Sequence, residues 1–296
     1  MVFGNIFLTY TTLKMLRNMR TAPLINNSSL TISNYSLTIN IYSFTINNSP
    51  LAMTFDELFE QIQKGEITKE DAQRHFSLDW METASRYILD VNRGMRTNIP
   101  EIIYGEYKTL EQTIELTTKL LDEHPRVVVS RSPFYKELNE HFKDKFPVLW
   151  SVNATVIGEM PETKGKVLVI SAGSADHPVT YECEVILKAV GVEPLVFEDR
   201  GIAHPTRVLE AIKQGIEQDV AAVIVVAGME GALAPFAASL VPLPVIGVPT
   251  SVGYGFRAKE AALTSMLASC APNLTVVNID GGLRAGVVAA LIAKNR

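Results

Sequence analysis

The chain predicts an α/β fold: a three-layer, doubly wound parallel sheet, preceded by a smaller, mainly helical α+β domain. Three observations predict it. From Lys166 onward, short apolar runs alternate five times with longer stretches of helical period. The runs are apolar on both faces, as parallel strands covered by helices on both sides must be. Each run ends in a turn rich in glycine or hydroxyl residues, the place where such sheets hold ligands.

The elements follow in order. Residues 1–52 hold no acid, are rich in Asn, Ser and Thr, and repeat Ser29-Leu-Thr-Ile, Ser36-Leu-Thr-Ile and Ser43-Phe-Thr-Ile at a seven-residue period. Such low-complexity sequence is expected to be a disordered extension, or translation upstream of a start at Met53. Lys14, Arg17 and Arg20 without acids also fit a targeting segment. Residues 53–160 form the smaller domain. Thr54 caps a helix with Glu57 three residues on and Leu58, Phe59 and Ile62 on one face, ended by Gly65. A second helix starts at Thr68. A third carries Met81, Ala84, Tyr87, Ile88 and Val91 and breaks across residues 93–100. Residues 101–106 read as a short strand, 109–121 as a helix and 127–130 as a strand.

Pro161-Glu-Thr-Lys-Gly165 reads as a linker, so 161–296 is the second domain. Its strands are expected at 166–171, 193–197, 221–227, 245–248 and 274–279. Its helices are expected at 178–190, 205–214, 232–240, 256–269 and 285–293. The ligand crevice is then expected beyond the carboxyl ends of the strands.

Composition narrows the function. A net charge of −5 offers no broad basic surface, so nucleic acid is not an expected partner. No apolar run reaches the roughly 18 residues of a membrane span. Cys183 and Cys270 make neither a disulfide framework nor a metal-type pair, which suits a reducing, cytoplasmic setting.

The turns carry the chemistry. Ser171, Gly173, Ser174 and Asp176 suit a phosphate or carboxylate, although Asp176 also fits a helix cap. His177 reads as a surface residue. In the second turn His204 precedes a helix-starting Pro, placed for proton transfer, and Arg207 suits an anionic substrate. Gly228, Met229, Glu230 and Gly231 leave an apolar strand for a helix. Glu230 is therefore expected to be an ionised base or a partner of a substrate hydroxyl. Thr250, Ser251, Gly253, Tyr254 and Gly255 supply hydroxyls and close backbone approach. Cys183 sits among Val179, Ile186 and Leu187 as a small core residue. Cys270 lies between a helix and a turn, where its sulfur is expected to face the crevice as a candidate nucleophile.

Residues 166–296 resemble the phosphoribosylaminoimidazole carboxylase (PurE) fold through Ser171-Ala-Gly-Ser-Ala-Asp176, Ala203-His204 and Val245-Ile-Gly-Val-Pro249. A closer resemblance is to the PurE-related LarB family, pyridinium-3,5-biscarboxylic acid mononucleotide synthases. It lies in Ala227-Gly-Met-Glu-Gly-Ala-Leu233, Val248-Pro-Thr-Ser-Val-Gly-Tyr-Gly255, Ser269-Cys270 and Val277-Asn-Ile-Asp-Gly281, and extends to Arg96, Pro100-Glu101, Tyr104-Gly105 and Lys108. In the second turn that family carries its histidine at the place of Thr206, two positions after His204. The LarB resemblance implies carboxylation of the pyridinium ring of nicotinic acid adenine dinucleotide by carbon dioxide or bicarbonate, with hydrolysis to AMP. It also implies Cys270 as covalent catalyst, Glu230 as base, Arg96 and Lys108 among the substrate contacts, and Mg²⁺ on the phosphates. A homo-oligomer of octamer type, with pockets completed by neighbours, is implied as well. The PurE resemblance implies instead an aminoimidazole ribonucleotide carboxylase or mutase. A nucleotide-binding sensor without chemistry is the third reading.

Overall fold

The computed structural model describes residues 60–66, 68, 82–84, 87–90, 93–97 and 99–296, and residues 54–296 form one compact unit. The extension 1–52, the start at Met53 and nearly all of the helix expected from Thr68 lie outside the described residues. Of the helix expected from Thr54, residues 60–63 are described and helical, with a turn at Gly65.

Strands β1 (Glu82–Ala84) and β2 (Tyr87–Leu89) form an antiparallel hairpin, with Glu82 opposite Leu89 and Ala84 opposite Tyr87. This replaces the third expected helix. Thr83 and Ile88 are β-branched and Tyr87 aromatic, residue types that favour strands, and an apolar spacing this short fits either period. Helix α1 (Arg93–Thr97) then occupies the expected break. Thr97 Oγ1 donates to the Arg93 carbonyl at 2.8 Å, which closes the helix.

Next come β3 (Ile102–Tyr104), α2 (Leu110–Glu123), β4 (Arg126–Ser130), α3 (Tyr135–Phe142), β5 (Val148–Trp150) and β6 (Ala154–Gly158). Thr109 caps α2 by accepting from the Gln112 N–H at 3.2 Å, and Gln112 Oε1 accepts from the Thr109 N–H at 3.0 Å. The strands pair in the order β3-β4-β6-β5, the first pair parallel and the others antiparallel. The part expected to be mainly helical thus carries a four-stranded sheet among the described residues. Runs of three to five residues are too short to display a period, which is why β5 and β6 do not announce themselves, and the eight residues of α3 carry only about two helical turns.

The second sheet follows the sequence pattern closely. It comprises β7 (Lys166–Ser171), α4 (His177–Ala189), β8 (Glu193–Phe197), α5 (Pro205–Glu217), β9 (Ala222–Ala227), α6 (Leu233–Ala238), β10 (Val245–Pro249), α7 (Ala261–Leu267), β11 (Leu274–Val276) and α8 (Gly282–Lys294). All five strands are parallel, in the order β8-β7-β9-β10-β11. Several elements are shorter than expected, among them α6, six residues within the expected 232–240. The helix of 256–269 shrinks to α7 because Gly255 and Arg257 take left-handed backbone angles, φ +87° and +52°, which no helix admits. The last strand stops at Val276.

Packing layers these elements. One face of β4 sends Val127 and Val129 against Leu116 and Leu120 of α2 and Leu138 and Phe142 of α3. Its other face sends Val128 into a core with Val156, with Cys183 and Ile186 of α4, and with Ala285 and Ala289 of α8, which continues to Val167 and Val169 of β7. Helices α4 and α8 therefore lie between the two sheets. On the far side of the second sheet, Val208 and Ile212 of α5, Leu233 of α6 and Met266 of α7 cover Leu168, Ile170 and Val225.

Candidate active site

Counted by chain position in the second sheet, the strand order is second, first, third, fourth, fifth. The winding reverses between β7 and β9, so the crevice opens where the turns leaving Ser171 and Ala227 part to opposite faces. Ser174 is exposed at its lip, at the start of a single 3₁₀ turn spanning Ser174–Asp176. Ser171 is fully buried beneath it, and its Oγ has no hydrogen-bond partner.

Asp176 is not the exposed ligand or helix cap that the sequence allows. It is buried, with Oδ2 accepting from the Gly173 N–H at 3.0 Å and Oδ1 accepting from Thr250 Oγ1 at 2.7 Å. Burial pushes its carboxyl above the usual aspartate range, opposed by the Thr250 hydroxyl and the Gly173 N–H, while the Asp280 carboxylate adds to the push. Thr250 is likewise fully buried. These two side chains hold the first and fourth turns together from beneath rather than facing solvent.

The third turn is locked to the fourth through backbone. The Met229 N–H donates to the Val252 carbonyl at 2.8 Å, with Met229 at φ +52°. A Cβ on Gly228 would lie 2.3 Å from the Val252 oxygen and 2.7 Å from Thr250 Oγ1, so only glycine fits. Glu230 is exposed in this turn, ahead of a six-residue α6. Its carboxylate is open to solvent. Ser251, Gly253, Tyr254 and Gly255 are all exposed in the fourth turn. The Ser251 N–H donates to Asp280 Oδ1 at 2.8 Å, which ties in the turn after β11.

In the second turn His204 and Arg207 are exposed. His204 Nδ1 lies 2.7 Å from Thr206 Oγ1, and Arg207 pairs with Asp199 at 3.3 Å. His177, read as a plain surface residue, has Nδ1 2.8 Å from Glu198 Oε1, across the carboxyl ends of β7 and β8. Pairing between neighbouring strands creates this contact, and sequence spacing does not reveal it.

Cys183 is buried and Cys270 exposed. Burial raises the Cys183 thiol well above its usual value, consistent with a core role. Cys270 does not face the crevice of its own chain. It follows α7 and precedes β11, and β11 begins at Leu274 opposite Val245, the first residue of β10. Neighbouring Asn273 donates to the carbonyls of Ala238, Val241 and Leu243, which precede β10. The thiol therefore lies at the amino edge of the sheet, about 13 Å from the crevice by the length of a five-residue strand.

Arg96 lies in α1, and Lys108 in the turn after β3, where its N–H donates to the Gly105 carbonyl at 3.1 Å. The structure gathers other residues nearby that the sequence reading passed over. A cavity of about 380 Å³ between the two sheets is lined by Arg93, Tyr104, Arg131, Glu182 and Arg284 among others. Glu182 sits on the Val179-Cys183-Ile186 stripe of α4, and an acid on an apolar stripe was the available signal. Its carboxyl is fully buried, and burial raises it above the usual glutamate range against the pull of Arg131.

The parallel sheet with this strand order, its switch point lined by glycine turns and hydroxyls, is the stretch matched by the family model described as AIR carboxylase, over residues 166–296. The model described as the LarB/PurE-like N-terminal domain matches residues 81–158. The chain belongs to the LarB family and is a carboxylase-type enzyme. It is 38% identical over 248 residues to the uncharacterized protein MJ0165 of Methanocaldococcus jannaschii, covering 80% of this chain and 96% of that one. An ABC transporter solute-binding protein from Bradyrhizobium sp. BTAi1, solved with bound Bis-Tris, matches at 14% identity and TM-score 0.26, over 45% of this chain and 56% of its own. That likeness carries no argument. Among the described residues, no helix is long and apolar enough to cross a membrane.

Proposed function

We propose that the protein carboxylates the pyridinium ring of nicotinic acid adenine dinucleotide at C5 and hydrolyses the phosphoanhydride, giving pyridinium-3,5-biscarboxylic acid mononucleotide and AMP. The Cys270 thiolate adds to C4 of the cationic ring, and the displaced electron pair makes C5 enamine-like. C5 attacks carbon dioxide, Glu230 takes the C5 proton, and expulsion of the thiolate restores aromaticity. Water then cleaves the phosphoanhydride.

The observation that carries this reading is the contrast between the two thiols: Cys183 is sealed in the core, whereas Cys270 is held out to solvent on an anchored turn. Because that turn is at the far edge of its own sheet, the reading requires Cys270 to serve the crevice of a second copy. Tyr254, Phe256 and Leu267 are 82%, 90% and 64% exposed, apolar surface of the kind that self-association covers. Among the described residues no three His, Cys, Asp or Glu side chains gather as a cation site. Mg²⁺ enters this reading only as a counter-ion carried by the dinucleotide's phosphates.

The test is to incubate the purified protein with the dinucleotide, bicarbonate and Mg²⁺ and weigh the products. A dicarboxylated mononucleotide and AMP are expected, with none from Cys270→Ser. Failure of both products to form sinks the proposal. The distance of Cys270 from its own crevice also favours a second reading, carboxylation of an aminoimidazole ribonucleotide. That ring is already enamine-like, so Cys270→Ser would retain turnover on it.

A further inference from the structure

A second cavity, of about 320 Å³, opens at the opposite end of α4 from the crevice, where Ala189 and Val190 close that helix and Lys294 ends α8. The thirteen residues of α4 put about 20 Å between this cavity and the Ser174–Asp176 turn, so the ring chemistry does not reach it. Its walls are fixed. The Glu159 N–H donates to the Pro125 carbonyl at 3.0 Å, and Arg126 Nε to the Glu159 carbonyl at 2.5 Å. The Lys164 N–H donates to the Gly191 carbonyl at 2.7 Å, which clamps the segment 161–165 against the end of α4. Pro100, Pro125 and Pro161 line the space as rigid rings beside Val190.

Two groups in this cavity have no use within the chain. His124 Nε2 is buried there without a hydrogen-bond partner, and such a group calls for one from outside. Lys294 makes no hydrogen bond or ion pair among the described residues. The last carbonyls of α8 are served by Asn295 instead, whose N–H donates to Ile292 and whose side-chain amide donates to Leu291. Burial, and then the charges of Arg126 and Lys164, hold the Lys294 amine below the usual lysine range. Three cations thus gather around the cavity, and Glu159 is the carboxylate set against Arg126. Like charges brought together without matching acids mark a place for an anion.

We propose that this cavity is a binding site for a small phosphate monoester with an apolar body. The phosphate lies between Arg126 and Lys294 and accepts from His124 Nε2, while the body rests on Pro100, Pro161 and Val190. A dianion suits the surplus of positive charge. A nucleoside does not suit the wall, because its ribose hydroxyls and base edge would face proline rings that offer them no partner.

The experiment titrates the full chain with phenyl phosphate, inorganic phosphate, benzyl alcohol and AMP by calorimetry, and repeats the first on Lys294→Gln, His124→Phe and Lys213→Gln. Lys294→Gln gives up no hydrogen bond or ion pair among the described residues, so it is expected to unfold at no lower urea concentration than wild type. Phenyl phosphate is expected to bind wild type at least about tenfold more tightly than any of the other three ligands, and about tenfold more weakly to Lys294→Gln, the loss of one charge-assisted contact. His124→Phe is expected to weaken it at least about threefold, the loss of a hydrogen bond from a neutral ring. Lys213→Gln, which removes a cation paired with Glu217 on α5, is expected to leave binding unchanged. No binding of phenyl phosphate, equal affinity in wild type and Lys294→Gln, an equal loss in Lys213→Gln, or inorganic phosphate or AMP binding as tightly would each overturn the assignment. The result does not depend on carboxylation, so this site stands or falls whatever ring the crevice accepts.

Discussion

Thr250→Val tests whether the crevice is held from below. Valine keeps the shape of threonine and removes the hydroxyl that donates to Asp176 Oδ1 at 2.7 Å in a fully buried site. Losing a hydrogen bond to a buried carboxylate costs about 1.5–3 kcal/mol. For a compact unit spanning residues 54–296 this is a fall in Tm of about 3–12 °C. The pH dependence carries a sign. The folded carboxyl of Asp176 is raised by burial, so between the ordinary aspartate value and the raised one the folded state binds more protons than the unfolded state. Stability contributed by this group therefore falls as pH rises through that window and then levels. Valine removes an interaction that favours the carboxylate, so the variant's folded value rises further and its window widens upward. The gap between wild type and variant is smallest below the ordinary aspartate value, where both are protonated, and full above the variant's folded value. Urea unfolding followed by circular dichroism at about pH 4 and pH 8 reads it. A gap of equal size at both pH values, or a variant as stable as wild type at pH 8, would refute this account of Asp176.

Two further outcomes follow from the geometry. Cys270→Ala and Glu230→Gln are each expected to be inactive, but co-assembled at equal ratio they should regain about a quarter of wild-type turnover, since random pairing sets an intact thiol against an intact crevice in one site in four; no recovery at any mixing ratio would place both groups in one chain. Gly286→Ala, despite alanine's better helix propensity, is expected to cost about 1–3 kcal/mol, because its Cβ would lie 1.9 Å from Ile186 Cγ2 between α8 and α4. A higher urea midpoint in that variant would contradict this packing.

The second sheet was legible because its strands are apolar on both faces and its turns are punctuated by Gly, Pro and Ser: β7 and β8 begin and end where the pattern places them. The amino-terminal hairpin and β5 were not, since three-residue strands carry no measurable period. Of the site, the exposed Ser174 and Ser251 lie in the turns expected of them, but Asp176 and Thr250 bond each other instead of facing outward. That pairing spans 74 residues and no local spacing encodes it. The placement of Cys270 is legible in the order of elements, since any residue between a helix and the next parallel strand lies at the amino edge. Glu182 was visible as an acid on an apolar stripe, but its partner Arg131, in the turn after β4, was not.

Helices α4 and α8 serve both sheets at once, burying Val128 and Val156 from one side and Val167 and Val169 from the other. The two halves of the enzyme are consequently not jaws on a hinge, because swinging them apart would tear a continuous close-packed interior. A separately expressed 161–296 fragment would wear half of that interior on its outside, and should come out of the cell as aggregate rather than as a working domain.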